Sequence, residues 1–385
     1  MLEVKNERKP VKSQLQSLST PLVVVDRAIL DRNISKAAAL AGAVGAKLRP
    51  HVKSHKSVAI AKMQMRAGAH GITVSKASEA MPFIEAGIPD ITVAYPLVDR
   101  RKIGGLLDLA AAHRTLLTLI ADSAHGVAAI AAEATARGAV VKVQVKVDVG
   151  LHRCGVDPST DAAEDLARKI ADRPSLRFAG ILSHAGHAYM AATPEAVRAI
   201  ALKERLTMLE VADRIERCDI AVASISIGST PTVWLNDGLE GVTELRPGNY
   251  VFMDLTQTSL GVAAIAEIAL SVVATVVSCN DTYAIVDAGS KTLSCDRGPH
   301  GSTRLSGYGQ AFRLDSTDNV ELPVVSLSEE HGFVAHGGQR LQVGERLRIL
   351  PNHACTVVNL ARAVAMADQD GTHEIWPVDA QACVS

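Results

Sequence analysis

Aromatic side chains are scarce: Phe, Trp and Tyr together make up 3% of the 385 residues. So few rings do not furnish the stacking platforms that grip single-stranded nucleic acid. Neither charge sign dominates. Forty Lys and Arg stand against 41 Asp and Glu, a formal net charge of -1, and no basic tract stands out. Nucleic acid is therefore not an expected partner. No apolar run reaches the roughly 18 residues of a membrane-spanning helix, so no membrane association is expected. The segment Met1–Gln16 is polar and charged and lacks the apolar core of a secretory signal, which makes the cytoplasm the expected compartment. Cysteine has no framework spacing: Cys154, Cys218, Cys279, Cys295, Cys355 and Cys383 are scattered. In a reducing compartment such residues are free thiols or metal ligands rather than disulfides.

What is present is apolar mass, 48% of the chain, with 21% charged. That suffices for two domains, since single cores stop growing near about 250–300 residues. Short β-rich runs recur at Lys47–Val52, Gly71–Ser75, Ile91–Pro96, Leu116–Asp122, Val140–Asp148, Phe178–His184, Ser224–Gly228 and Glu244–Tyr250. Ala-rich amphipathic stretches lie among them: Ser35–Ala41, Val58–Ala67, Ser78–Ala86, His125–Arg137, Ala162–Ala171 and Pro194–Arg214. Alternation of this kind predicts a parallel sheet of βα units. Eight such strands in about 200–250 residues suit a (β/α)8 barrel. A doubly wound open sheet is the rival, but no Gly-x-Gly-x-x-Gly follows the first strand. After about Met253 the pattern changes to short strands joined by turns, predicting a mainly β domain. Its runs are Ile265–Val277, Tyr283–Asp287, Glu321–Ser328, Arg346–Leu350, Thr356–Leu360 and Glu374–Pro377. An early strand, Pro21–Asp26, precedes the barrel.

Four segments carry chemistry. In Arg49-Pro50-His51-Val52-Lys53-Ser54-His55-Lys56, residues two apart share a face if the chain is extended, so Arg49, His51, Lys53 and His55 would point together. A lysine at the C-terminal end of a barrel strand sits where barrel active sites sit; read alone, the stretch also suits a solvated basic loop. In Asp148-Val149-Gly150-Leu151-His152-Arg153, an arginine in a strand-end loop can hold a phenolate oxygen. Ser226-Ile227-Gly228-Ser229-Thr230-Pro231 ends a strand and opens a helix, presenting N–H groups and hydroxyls to a phosphate. Glu244-Leu245-Arg246-Pro247-Gly248-Asn249-Tyr250, at the next strand end, supplies further donors. In Pro351-Asn352-His353-Ala354-Cys355, imidazole and thiolate two apart suit a metal such as zinc if strand geometry continues. Each of these last three also reads as a turn or as buried side chains. His184 and Tyr189 end another strand and could touch a cofactor ring, although bystander roles are open to both. Glu329-Glu330-His331-Gly332 is a turn, or support for a metal or base.

Taken in order, these segments resemble one family. The pattern is Thr20-Pro21, Arg49-Pro50-His51-x-Lys53-x-His55-Lys56, Asp148-x-Gly150-x-x-Arg153-x-Gly155, Gly228-Ser229-Thr230, Arg246-x-Gly248-x-Tyr250, Glu330-His331-Gly332 and Pro351-Asn352-His353-x-Cys355. It resembles the D-threonine aldolase / D-serine dehydratase-like family of fold-type III enzymes that use pyridoxal 5'-phosphate (PLP). The resemblance runs from about residue 18 to residue 378, and Ser224–Asp254 is especially similar to the dehydratases that act on D-threo-3-hydroxyaspartate. It implies an alanine racemase-like fold: a PLP-binding (β/α)8 barrel over 27–260 and a β domain over 261–385, joined by the N-terminal strand 18–26. It implies a homodimer, built head to tail, and a small D-amino acid as substrate. It makes Lys53, not Lys56, the Schiff-base lysine and places Arg153 on the ring phenolate. Gly228, Ser229, Thr230, Gly248, Asn249 and Tyr250 would bind the phosphate. His353 and Cys355 would hold a divalent metal: zinc, or manganese, cobalt or magnesium.

The function so implied is a PLP- and metal-dependent lyase. It would dehydrate and deaminate D-threo-3-hydroxyaspartate, D-serine or D-threonine to a 2-oxo acid and ammonia. Lys53 would move the α-proton and the metal on His353 would activate the β-hydroxyl. Retro-aldol cleavage to glycine and an aldehyde is the alternative. Family dehydratases tend to carry His-x-Cys and aldolases His-x-Asp, so Cys355 favours dehydration. A racemase, which has no need of the metal pair, and a non-catalytic PLP-binding protein stand behind both.

Overall fold

The structure is a computed structural model that describes residues 18–299, 302, 304–314, 320–368 and 370–385. The polar segment Met1–Gln16 lies outside the described residues. The chain divides into two compact units.

The first unit comprises Ile34–Tyr250, Leu260–Val262 and Asp379–Ser385. Its eight strands are all parallel, in the order Lys47–Leu48, Glu244–Leu245, Ile225–Ile227, Leu176–Leu182, Val141–Lys146, Leu116–Ala121, Asp90–Pro96 and Ile72–Val74. The two end strands meet through a bridge between His51 and Thr73, so the sheet closes into a barrel. Thr73 N–H completes the seam by donating to the Pro50 carbonyl at 2.8 Å. Local sequence accounts for the helices between. Asp99 caps Arg100–Ala112, a helix the hydrophobic pattern did not predict, by accepting from Arg101 N–H. Ser123 caps Ala124–Ala136, and Thr193 with Pro194 opens Pro194–Glu216. Ala162–Ala171 carries Glu164 and Asp165 in its first turn and Arg168 and Lys169 in its last, matching the helix dipole.

The barrel wall is aliphatic, with Ile91, Val93, Leu119, Val143 and Val145 buried, but polar groups run through the interior. Arg49 donates to Glu244 at 2.6 Å and to Asp90 at 2.7 Å, all three being buried. Glycine at 71 makes room for this triad: a Cβ there would stand 2.4 Å from Arg49 Nη1 and 2.6 Å from the Asp90 carbonyl.

The strand expected over Lys47–Val52 stops short. Val52–Ser54 forms a single 3-10 turn, with His51 Nδ1 accepting from Lys53 N–H and Val52 O accepting from His55 and Lys56 N–H. Arg49, His51, Lys53 and His55 therefore do not share one extended face, because the turn's hydrogen bonds replace the ladder after the bridge.

The second unit comprises 18–33, Val251–Ser259 and Ala263–Val378. By contacts, Val251–Ser259 group with this unit while Leu260–Val262 stay with the barrel, and the division passes through the helix Arg27–Ala43 after Asn33. Residues 379–385 return to the barrel unit because their backbone pairs there: Ala380 N–H donates to Lys56 O and Ser78 N–H to Ser385 O. The second unit's sheet has nine strands in the order Tyr283–Val286, Gly332–Ala335, Leu322–Leu327, Gly309–Arg313, Arg346–Pro351, Leu270–Cys279, Leu22–Asp26, Ala363–Ala367 and His373–Pro377. Leu270–Cys279 also pairs with Tyr283–Val286, closing six of them into a ring. The early strand Leu22–Asp26 joins antiparallel to Leu270–Cys279 and parallel to Ala363–Ala367.

One expectation fails in this unit, and one open alternative is decided. Thr356–Leu360, read as a strand from its β-branched residues, is part of the helix Ala354–Leu360. Asp254 Oδ2 accepts from Ala354 N–H at 3.0 Å, satisfying a donor of the helix's first turn, and Val357 and Val358 are buried. Packing and capping override intrinsic β-preference here. The Glu329–His331 cluster is a hairpin turn, with Ser328 N–H on His331 O and both glutamates paired to Lys291 at the surface.

Candidate cofactor and metal sites

Five neighbouring strands of the barrel deliver the predicted cofactor residues at one end. Lys53 follows Lys47–Leu48; Arg246 to Tyr250 follow Glu244–Leu245; Gly228 to Thr230 follow Ile225–Ile227. His184 follows Leu176–Leu182, and Arg153 follows Val141–Lys146. Residues as far apart as 53 and 250 become neighbours through sheet order.

The electrostatics show how closely they converge. Burial, then Lys53, Arg246 and Arg153, hold His51 well below the usual imidazole range. Burial, then Lys53, Lys146, Arg153 and Arg246, do the same to His184. Both rings are neutral at pH 7. Lys146, buried at the end of Val141–Lys146, is lowered to about 7 by burial and by Arg246. Arg246 is lowered to about 10 by burial, against Glu244 and Glu204. Its guanidinium donates to Ser226 Oγ at 3.1 Å and to the Ser183 carbonyl. Three cationic side chains, Lys53, Arg153 and Arg246, and a partly protonated Lys146 thus act on two neutral imidazoles, an arrangement that favours a bound anion.

The loops are held in place by carboxylates. Asp148 accepts from the N–H groups of Gly150 and His152 and from His152 Nδ1, shaping the loop that carries Arg153. Glu204, buried on Pro194–Glu216, accepts from Ser183 Oγ at 2.6 Å, Ala185 N–H at 3.2 Å and Gly228 N–H at 3.4 Å. The helix expected to open at Pro231 is Thr230–Trp234, with Ser229 at its N-cap position. Thr230 Oγ1 accepts from Tyr250 N–H, joining the two candidate phosphate segments. Tyr250 is fully buried, stacks on Trp234 at 5.5 Å and accepts from Gln64, whose Oε1 meets His55 Nε2. Burial pushes the Tyr250 phenol up and His55 down to about 3. At Gly248, a Cβ would stand 2.9 Å from both the His51 carbonyl and Ser54 Oγ, so only glycine seats this loop against the Lys53 turn. Asn249 is buried beside it. Tyr189 is buried in the turn Gly186–Met190 beyond His184. Lys56 points elsewhere: its Nζ donates to Cys383 O.

The residues present fit PLP. The cation cluster suits its phosphate and phenolate, Lys53 lies within that cluster, and the Gly228–Thr230 and Gly248–Tyr250 segments meet at a helix start.

In the second unit, His353 is the N-cap of Ala354–Leu360 and Cys355 is that helix's second residue, so the pair is not arranged by strand geometry. They nevertheless lie close enough for Cys355 to act on the His353 ring. His353 Nδ1 pairs with Asp296 Oδ2 at 2.7 Å, which leaves Nε2 for an ion. Burial lowers the His353 imidazolium, but Cys355, Asp296 and Asp254 outweigh it and raise it to about 10. A carboxylate on the far ring nitrogen is the usual support of a metal-binding histidine. No cluster of three or more His, Cys, Asp and Glu poised for a metal occurs among the described residues. The pair fits an open site, with water or substrate in the remaining positions.

Sequence reading missed Lys146, Glu204, Asp254 and Asp296. Lys146 had a signal, a lysine ending an otherwise buried strand; the others act across the fold and had none.

The alanine racemase N-terminal domain model matches residues 25–256. The chain belongs to this family of fold-type III PLP enzymes. A second model, described as "Putative serine dehydratase domain", matches residues 269–367. D-threo-3-hydroxyaspartate dehydratase of Delftia sp. (strain HT23) is 37% identical over 377 residues, covering 95% of this chain and 98% of the relative. D-threonine aldolase of Arthrobacter sp is 31% identical, covering 95% and 94%. The solved Delftia dehydratase superimposes with a TM-score of 0.88 at 36% identity, covering 95% of this chain and 99% of that one. The same dehydratase has been solved as a cysteine-to-alanine variant in a metal-free form and as a histidine-to-alanine variant. Alanine racemase of Clostridium difficile, at 14% identity and a TM-score of 0.69, shares the fold. The family, the fold class and the PLP-dependent lyase class expected from sequence all stand. No helix among the described residues is long and apolar enough to cross a membrane, and none of the six cysteines is in a disulfide.

Proposed function

We propose that this chain is a PLP- and divalent-metal-dependent dehydratase of D-3-hydroxy amino acids, with D-threo-3-hydroxyaspartate as preferred substrate and D-serine and D-threonine as further candidates. The products are a 2-oxo acid and ammonia. The observation that carries the reading is the convergence of Lys53, Arg153 and Arg246 on neutral His51 and His184, with Lys146 beside His184. The 37% identical dehydratase supports the choice of reaction.

Bound PLP supplies an electron sink for the substrate's α-carbon. Lys53 would hold the cofactor through its amine, and that amine would also be the group that carries the substrate's α-proton. Arg153 binds the ring phenolate, with His184 and Tyr189 lining the ring. Gly228, Ser229, Thr230, Gly248, Asn249 and Tyr250 hold the phosphate. Neutral His51 and His184 add no positive charge to a site already crowded with it. His353 and Cys355 would hold the divalent cation, zinc first among the candidates, whose Lewis acidity is available to the β-hydroxyl. Asp296 fixes the His353 ring. Cytoplasmic location accords with six cysteines outside any disulfide, and a homodimer with the family habit; sedimentation of the purified chain tests the dimer.

Retro-aldol cleavage is the second reading, favoured by the full-length similarity to D-threonine aldolase. One experiment separates them. The PLP- and metal-loaded chain is incubated with each of the three D-amino acids, and ammonia with 2-oxo acid is assayed against glycine with aldehyde. Glycine as the main product overturns the dehydratase reading.

A further inference from the structure

The barrel has a second polar mouth. At the N-terminal ends of its strands lies a cavity of about 240 Å3, walled by Lys47, Arg49, Asp90, Lys142, Gln144, Arg177 and Glu244 among others. Lys142, Gln144 and Lys146 alternate along one strand and so share its inward face. Lys146 belongs to the cofactor end, and Lys142 to the opposite one.

The charges of this cavity do not cancel. Arg49 is already committed to Asp90 and Glu244. Lys47, Lys142 and Arg177 have no ion pair or side-chain hydrogen bond among the described residues, so four cationic side chains stand against two carboxylates. His70 is also at the wall, and burial, Lys47 and Arg49 lower its imidazole, so it adds no charge at neutral pH. Gln144 is 4% exposed, and its Oε1 is buried without a hydrogen-bond partner. A side-chain amide that can turn presents either a donor or an acceptor. Thr92, Thr118, Ser224 and Thr243 bring further polar groups to the wall.

We propose that this cavity is a binding site for a small, doubly charged oxyanion, separate from the PLP phosphate position. Its size excludes nucleotides and cofactors, since pockets for drug-sized ligands run from about 300 to 1,000 Å3. Lys142 and Arg177 grip the charge, Lys47 stands at the rim, and Gln144 meets the ligand from below. The shared chemistry is that of inorganic phosphate and of short dicarboxylates.

The test uses the PLP-loaded full chain, so that the cofactor's own phosphate site is filled. Inorganic phosphate and succinate are titrated by calorimetry, with acetate and chloride as monovalent controls. Saturable binding of one dianion per chain is expected, weakening as NaCl rises. Lys142→Gln and Arg177→Gln should each lower affinity about tenfold or more, the range for a lost charge-assisted hydrogen bond. Cofactor absorbance stays unchanged in both. Preference for phosphate identifies a tetrahedral oxyanion as ligand, and preference for succinate a dicarboxylate. Absence of saturable binding by either, or binding undiminished in the variants, overturns the proposal. Arg177 is exposed, so Arg177→Gln folds and decides the matter even if Lys142→Gln does not.

Discussion

Replacing Arg49 with Met isolates the energetics of the buried triad. The guanidinium makes two charge-assisted bonds, 2.6 Å to Glu244 and 2.7 Å to Asp90, with side chains only 7%, 6% and 13% exposed. Hydrogen bonds to charged groups contribute about 1.5–3 kcal/mol each, so losing two costs roughly 3–6 kcal/mol. Breaking a buried ion pair by removing one partner independently suggests about 3–5 kcal/mol, because the remaining charge is left desolvated. Glu244 keeps its bond from Ser226 Oγ at 2.6 Å, which places the expectation near the lower end, about 3–4 kcal/mol. Urea unfolding of the PLP-loaded protein at pH 7, followed by far-ultraviolet circular dichroism and cofactor absorbance, measures it. Glu244→Gln and the double variant complete a cycle, and residues sharing one network should couple by about 0.5–3 kcal/mol. A loss below about 1 kcal/mol in Arg49→Met, or additive single losses, would refute the claim that the triad acts as a buried unit.

Lys53→Ala should abolish the long-wavelength absorbance of lysine-bound cofactor while circular dichroism stays native; a retained band would remove Lys53 from its role. EDTA, His353→Ala and Cys355→Ala should each stop turnover and lower the metal content of the purified protein, and full activity in the metal-stripped chain would end the metal proposal. Lys146 is lowered from 10.5 to about 7, so the unfolded chain binds more protons than the native one between those values. Native stability should therefore rise with pH across that window and flatten in Lys146→Met; parallel wild-type and variant curves would contradict it.

Much of this architecture is written locally. Alternation of apolar strands with Ala-rich helices is a nearest-neighbour pattern, and it located all eight barrel strands. It lost Arg100–Ala112, whose start depends on the Asp99 cap. It also misread Thr356–Leu360, where Asp254 supplies a cap from 100 residues away. The motif residues were legible as types at strand ends, and sheet order brings them together. Their supports were not, because each acts over a long separation: Glu204 on Ser183 across 21 residues, Asp296 on His353 across 57. For Lys53, periodicity predicted an extended face where the chain makes a 3-10 turn. A single turn stabilised by a histidine ring leaves no periodic trace.

The strand leading to Lys53 lies between the barrel's last strand, Glu244–Leu245, and its second, Ile72–Val74, to which it connects only through the His51–Thr73 bridge and its flanking bonds. The lysine's surroundings are therefore incomplete until almost 200 further residues have been made and folded. On a ribosome, the nascent chain has no pocket to offer while its first strands emerge, and the cofactor cannot serve as an early scaffold. Cofactor colour should appear late and all at once, as a signal that the ring has closed.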